Sequence, residues 1–216
     1  MKPGPADLLL VVDVQVDFLP GGALPVPDGD AVVRPINGLQ ARFHHVALTQ
    51  DWHPPGHVSF ASSHPGRVPF ETVRLLHGEQ VREQALWPDH CVQGSPGAAF
   101  APGLETARAA LIVRKGLTAG VDSYSAFLEA DRKTRTGLAG ALAERGIRRV
   151  VLCGLATDFC VLWSALDARD AGFEVLVVED AVAGIDVPSS AGGSVAAAWT
   201  RMAAVGIGRI SATDLA

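Results

Sequence analysis

Six short apolar runs constrain this chain more than any other feature of its sequence. They read "LLLVVDV" (8–14), "HVALTQ" (45–50), "AALIVRK" (109–115), "RRVVLCG" (148–154), "FEVLVVED" (173–180) and "VGIGRIS" (205–211). Each is strand-sized and continuous rather than alternating. A strand covered on both faces has that pattern; a strand with one wet face alternates. Stretches of helical character separate the runs. "TGLAGALAERG" offers Thr136 as N-cap and Gly146 as stop, and "TDFCVLWSALDARDAG" offers Thr157 or Asp158 as cap and Gly172 as stop. "DAVVRPINGLQARF" is a further helix, its start blurred by Pro35, and "SSAGGSVAAAWTRMAAVG" is Ala-rich but weakened by glycines. This alternation predicts an α/β fold: a single-domain, doubly wound, mainly parallel six-stranded sheet with helices on both faces.

The 216 residues, 48% apolar, supply one full core, so residues 1–216 are expected to form one domain. Charge is mixed in sign and nets −5, which excludes the basic footprint of a nucleic-acid binder. No apolar run reaches membrane-spanning length, and the N-terminal run meets Asp13 and Asp17 without a signal-peptide layout. Neither a nucleic-acid nor a membrane partner is therefore expected. Three cysteines, Cys91, Cys153 and Cys160, fit a reducing cytoplasm better than a disulfide scaffold. Pattern alone does not separate apolar surface from core, so a homo-oligomer stays open. The Gly/Pro/His-rich segment from about residue 51 to 100 reads as mostly loop, and long loops in compact domains are usually functional.

Open α/β sheets bind ligands outside the carboxyl ends of their strands. Asp13 stands at the end of the first run, Asp51 and His53 follow the second, Lys115 ends the third, and Cys160 follows the fourth across "GLATDF". A carboxylate, an amine and a thiol at one sheet edge make a nucleophile set. Three lysines stand among 18 basic residues, and one of them directly follows "LIVR", where a compact, tunable ammonium differs from the Arg used elsewhere. A solvent-facing lysine is the plainer alternative. At the first turn of a helix, free N–H groups and the helix dipole favour a thiolate at Cys160 and offer donors to an oxyanion. The alternative is a buried cysteine packed with Val161 and Leu162. Cys153, inside its strand, reads as core.

All seven histidines fall between residues 44 and 90. Asp51 and His53, two apart in an extended segment, point to one side and can meet one cation. A third ligand would complete a facial set. His57 is near in sequence, and His90 lies in a second loop beside Cys91, whose adjacent position ranks it low as a ligand. His44, His45, His64 and His77 read as surface or loop residues.

The segments "DVQVDFLPGGAL" (13–24), "TQDWHPPGHVSF" (49–60), "WPDHCVQGSPGA" (87–98), "VRKG" (113–116), "VDSYSAF" (121–127) and "GLATDFCV" (154–161) occur together in one order. In that order and spacing they resemble the nicotinamidase branch of the isochorismatase-like cysteine hydrolases, over residues 7 to 210. The resemblance implies a six-stranded parallel sheet and a catalytic triad of Asp13, Lys115 and Cys160. It implies one divalent metal ion (zinc, iron or manganese) on Asp51, His53 and His90. Some members add a histidine from the loop where His57 lies. It also implies a cis Leu155–Ala156 bond, an oxyanion hole from the N–H groups of Ala156 and Cys160, and a ring pocket of Phe18, Trp87 and Tyr124. The implied reaction is hydrolysis of nicotinamide, and of pyrazinamide, through a cysteine thioester, with the pyridine nitrogen on the metal.

One departure stands out: the family's D-x-Q-N-D-F has Val16 at its fourth position here. That removes a local hydrogen bond near the pocket and bears on substrate preference more than on chemistry. Two other readings compete. One is a related amidase for carbamoyl or ureido compounds, whose members typically lack the metal motif. The other is a non-catalytic pyridine- or metal-binding module, for which Cys160 would react no faster than Cys91 or Cys153.

Overall fold

The computed structural model describes residues 1–77, 80–189 and 192–215. In chain order the strands are β1 (Asp7–Val12), β2 (His45–Asp51), β3 (Thr72–His77), β4 (Gln80–Ala85), β5 (Leu111–Lys115), β6 (Arg149–Leu155), β7 (Glu174–Ala183), β8 (Pro188–Ser189), β9 (Gly192–Gly193) and β10 (Gly208–Ile210). The helices are α1 (Val33–Gln40), α2 (Leu138–Glu144), α3 (Leu162–Asp170) and α4 (Ser194–Ala204). Six strands form one sheet in the order β10-β7-β6-β1-β2-β5, every pair parallel. The six apolar runs are these six strands, displaced at their ends by up to three residues.

The continuous pattern of β1 has a direct cause. Leu9 and Val11 face a core shared with Ile36 and Leu39 of α1, while Leu8, Leu10 and Val12 face a second core built with α2, α3 and α4. Each such side chain, fully buried, contributes about 1.5–3 kcal/mol of transfer free energy. At the sheet edge, β5 reverts to alternation, with Ile112 exposed and Lys115 buried. From β1 the chain winds outward through β2 to β5, then returns to β6 and winds the other way. Strand order reverses between β1 and β6, so the crevice at their carboxyl ends is the expected ligand site. At this seam Gly154 is in the left-handed region (φ +109°), and a Cβ there would lie 2.1 Å from the Val12 carbonyl oxygen.

Two expectations need correction, both of them helix caps. The 51–100 segment is mostly loop, as expected, and carries one hairpin, β3–β4, paired from Thr72↔Ala85 to His77↔Gln80, so His77 lies in a strand. Gly78 and Glu79 lie outside the described residues, as do Ser190 and Ala191. Neither Thr157 nor Asp158 caps α3. Thr157–Val161 forms a π-helical turn entered from Ala156, and α3 follows from Leu162. The Asp158 carboxylate is taken up instead by the N–H groups of Ile185 and Asp186 and by the Ser194 hydroxyl, tying the loop after β7 to the turn. Thr136 lies one residue before the true cap, Gly137, where its hydroxyl accepts from Leu138 N–H at 3.2 Å. The stops Gly146 and Gly172 both adopt positive φ.

Candidate active site

Asp13 is the first residue past β1 and turns into the left-handed region at φ 47°. One carboxylate oxygen, Oδ2, lies 2.8 Å from Lys115 Nζ, and the other accepts the Thr49 hydroxyl. Lys115 ends β5, two strands away, and its long stem carries the ammonium across the end of β2. Lys115 is 1% exposed, so it is no solvent-facing lysine. It donates to an Asp51 carboxylate oxygen, to the Ser123 carbonyl at 3.0 Å and to Cys160 Sγ at 3.4 Å. Cys160 sits on the π turn after β6, buried, and the Leu155–Ala156 bond before the turn is cis.

Burial raises the Asp13 carboxyl above its ordinary value, with Lys115 opposing. The Cys160 thiol is likewise pushed well up by burial, again against Lys115. Burial works against the Lys115 charge, but Asp13 and Asp51 outweigh it and hold the ammonium protonated. Burial thus disfavours charge on both Asp13 and Cys160, and the Lys115 ammonium opposes it at both.

Beside this trio, Asp51 Oδ2 lies 3.6 Å from His53 Nε2 and 3.9 Å from His90 Nε2. One donor atom from each of the three lies within 4.8 Å of the others. His53 Nδ1 meets the Gly116 carbonyl at 3.1 Å and His90 Nδ1 meets the Pro88 carbonyl at 2.8 Å. An Nδ1–H donated to a backbone oxygen leaves Nε2 with its lone pair turned inward, which is the state a metal needs. Burial pushes His90 down to about 4, keeping it neutral. Burial also disfavours the His53 charge, but Asp51 beside it outweighs burial and raises the ring above its ordinary value. The two nitrogens and one carboxylate fit a divalent ion. A Cβ at Gly116 would strike the His53 ring at 2.4 Å, so glycine is required for the ring to sit there.

His57 is placed differently. Its ring stacks on His53 at 4.2 Å, with Nδ1 2.7 Å from the Ser59 hydroxyl and Nε2 3.2 Å from the Val121 carbonyl. Both nitrogens are engaged away from Asp51. Cys91 is buried in the apolar core, its own N–H bonded to Asp17.

A narrow cavity opens onto Cys160, Asp51 and His90, walled by Phe18, Trp87 and Tyr124 together with Leu24, Phe159, Ala156 and Ile185. Trp87, Tyr124 and Phe159 are locked to each other, and Phe18 stands against the His90 ring at 5.5 Å. Trp87 stands edge-on to Phe159 at 4.9 Å and donates from Nε1 to the Tyr124 hydroxyl at 3.0 Å. Gln84 of the hairpin donates to the same hydroxyl and to Asp122. Sequence reasoning did not reach Thr49, Gln84, Leu24, Phe159 or Ile185. Thr49 alone left a signal: it is two residues before Asp51 on one strand and so shares its face.

The isochorismatase domain model matches residues 7–214. The chain belongs to the isochorismatase family. Within that family it is 49% identical over 215 residues to a nicotinamidase of Acinetobacter baylyi, covering 100% of this chain and 97% of the relative. The solved nicotinamidase/pyrazinamidase of Acinetobacter baumanii superposes with a TM-score of 0.93 at 52% identity, over 99% of both chains. A pyrazinamidase of Pyrococcus horikoshii, solved in complex with zinc, superposes with a TM-score of 0.76 at 35% identity, over 96% of this chain and 99% of that one.

Proposed function

We propose that this chain is a single hydrolase domain that converts nicotinamide to nicotinate and ammonia through a thioester on Cys160. The observation that carries the reading is the Lys115 ammonium, held between Asp13 and Cys160 and buried next to Asp51, His53 and His90. Its near relatives named nicotinamidase support the substrate.

Asp13 takes the Cys160 proton as sulfur attacks the carboxamide carbon. The N–H groups of Ala156 and Cys160 receive the negative oxygen of the adduct. Asp13 then gives its proton to the leaving nitrogen, the C–N bond breaks, and ammonia departs. In the second half Asp13 deprotonates water, which attacks the thioester carbonyl; the C–S bond breaks, sulfur regains the proton, and nicotinate is released. Throughout, Lys115 neutralises whichever of Asp13 and Cys160 carries the charge. Asp51, His53 and His90 would hold a divalent cation, which would supply a Lewis acid toward the pyridine nitrogen; zinc, iron and manganese all accept this donor set. Phe18, Trp87, Tyr124 and Phe159 form the slot for a flat ring, and pyrazinamide fits the same description. Such chemistry suits a reducing cytoplasm, where the nucleophile stays a thiol.

The test is ammonia release from nicotinamide by the purified protein, before and after chelation and metal add-back. Release that falls on chelation and returns with metal is expected. Absence of release from folded, metal-loaded protein would discard the reading in favour of a carbamoyl or ureido amidase.

A further inference from the structure

We propose that Thr49 is a positioning residue for the catalytic base. Its hydroxyl pins Asp13 so that Oδ2, and not Oδ1, faces Lys115 and exchanges the proton with Cys160. The inference rests on the amidase reading above.

The backbone explains why a pin is needed. Parallel pairing of β1 with β2 runs from Leu8↔His45 to Val11↔Leu48 and stops there. Asp13 has turned to φ 47°, so its N–H has left the ladder. That N–H is caught by a side chain instead: it donates to Thr49 Oγ1 at 3.0 Å. The same oxygen donates its own proton to Asp13 Oδ1 at 2.5 Å. One hydroxyl thus holds both the main chain and the carboxylate of one residue, as acceptor and as donor. With Oδ1 occupied, the plane of the carboxylate is set, and Oδ2 is left 2.8 Å from Lys115 Nζ. A carboxylate oxygen of Asp13 lies within 4.8 Å of the Cys160 sulfur. Thr49 is fully buried, so no water stands ready to replace the hydroxyl. Its β-branch narrows χ1, which a serine would leave freer. A base released from this pin rotates, and misplacement on the ångström scale costs about 100-fold in rate.

Thr49→Val keeps the shape and removes both bonds. The expected result is a fall in kcat of about 10- to 100-fold with KM for nicotinamide within about twofold. Thr49→Ser, which restores the hydroxyl, is expected to recover most of that loss. Alkylation of Cys160 by iodoacetamide at one fixed pH, read by mass spectrometry, is expected to slow in Thr49→Val and recover in Thr49→Ser. If Thr49→Val does not fold, Thr49→Ala against Thr49→Ser makes the same comparison. A kcat for Thr49→Val within threefold of the parent, or a loss confined to KM, would overturn the inference. Parent protein that releases no ammonia would count against the amidase reading, while the alkylation rates would still decide the role of Thr49.

Discussion

Two residues of the trio are expected to fail in different ways when removed. Cys160 is a small group on a turn, and Cys160→Ala deletes one sulfur while leaving the Asp13–Lys115 pair in place. It should abolish ammonia release and leave the melting temperature within a few degrees. Lys115 is different, because Asp13 and Asp51 both lean on its charge. Lys115→Met leaves two buried carboxylates facing each other with no cation between them. Breaking a buried pair by removing one partner costs about 3–5 kcal/mol, so this variant should lose activity and stability together. The measurement is thermal unfolding beside the ammonia assay. A Lys115→Met protein as stable as the parent would mean that the carboxylates are not both charged in the resting site. At this scale the sequence was informative where chemistry is rare: a Lys after "LIVR" and a Cys past a strand both lie where strand ends converge. It was silent on Leu24 and Ile185, which are common residue types whose part is assigned only by the partners across the crevice.

Among the elements, the central seam between β1 and β6 carries the site, and Gly154 is what lets the seam close. Its positive φ and the Val12 carbonyl, 2.1 Å from where a Cβ would stand, leave no room for a side chain. The neighbour is backbone in the middle of a sheet and has nowhere to go. Gly154→Ala should therefore cost several kcal/mol, combining left-handed strain with overpacking. A lowered urea midpoint, or protein recovered only in the insoluble fraction, is the expected result; an unchanged midpoint would show that the seam gives. The strands of this seam were legible because both faces of β1 and β6 are covered, which writes an unbroken apolar run into the sequence. The hairpin was not legible. "TVRLLH" and "QVREQA" mix charge with apolar residues, because Leu76 and Val81 on its outer face are exposed while Gln84 on its inner face reaches Tyr124. The cap on α3 was misread for a related reason: Asp158 has the right residue type for a cap, but Ile185, Asp186 and Ser194, distant in sequence, claim its carboxylate first.

For the molecule as a whole, the balance of charge sets how stability should change with pH. Acidic residues outnumber basic ones, 23 to 18, so each further buried negative charge adds to self-repulsion. Glu129 is such a charge. It is 5% exposed, its Oε2 has no hydrogen-bond partner among the described residues, and it lies outside the site, with Asp131, Asp122 and Thr118 around it. Burial, then the Asp131 charge, raises its carboxyl from 4.5 to about 7, while Thr118 opposes with a hydrogen bond. The folded state thus prefers the protonated acid. Below pH 4.5 both folded and unfolded chains hold that proton, and Glu129 costs nothing. Between 4.5 and 7 the unfolded chain gives it up and the folded chain does not, so stability falls as pH rises; above 7 the loss is complete. Glu129→Gln keeps the shape and removes the charge. It should raise the melting temperature by a few degrees at pH 8 and leave it unchanged near pH 4.5. Melting curves of the two proteins at both pH values make the check. An equal shift at both would trace the effect to packing, and no shift at pH 8 would mean that water reaches the carboxylate. The same variant should leave kcat for nicotinamide untouched, because Glu129 is not among the partners of Asp13, Lys115 and Cys160 within the described residues.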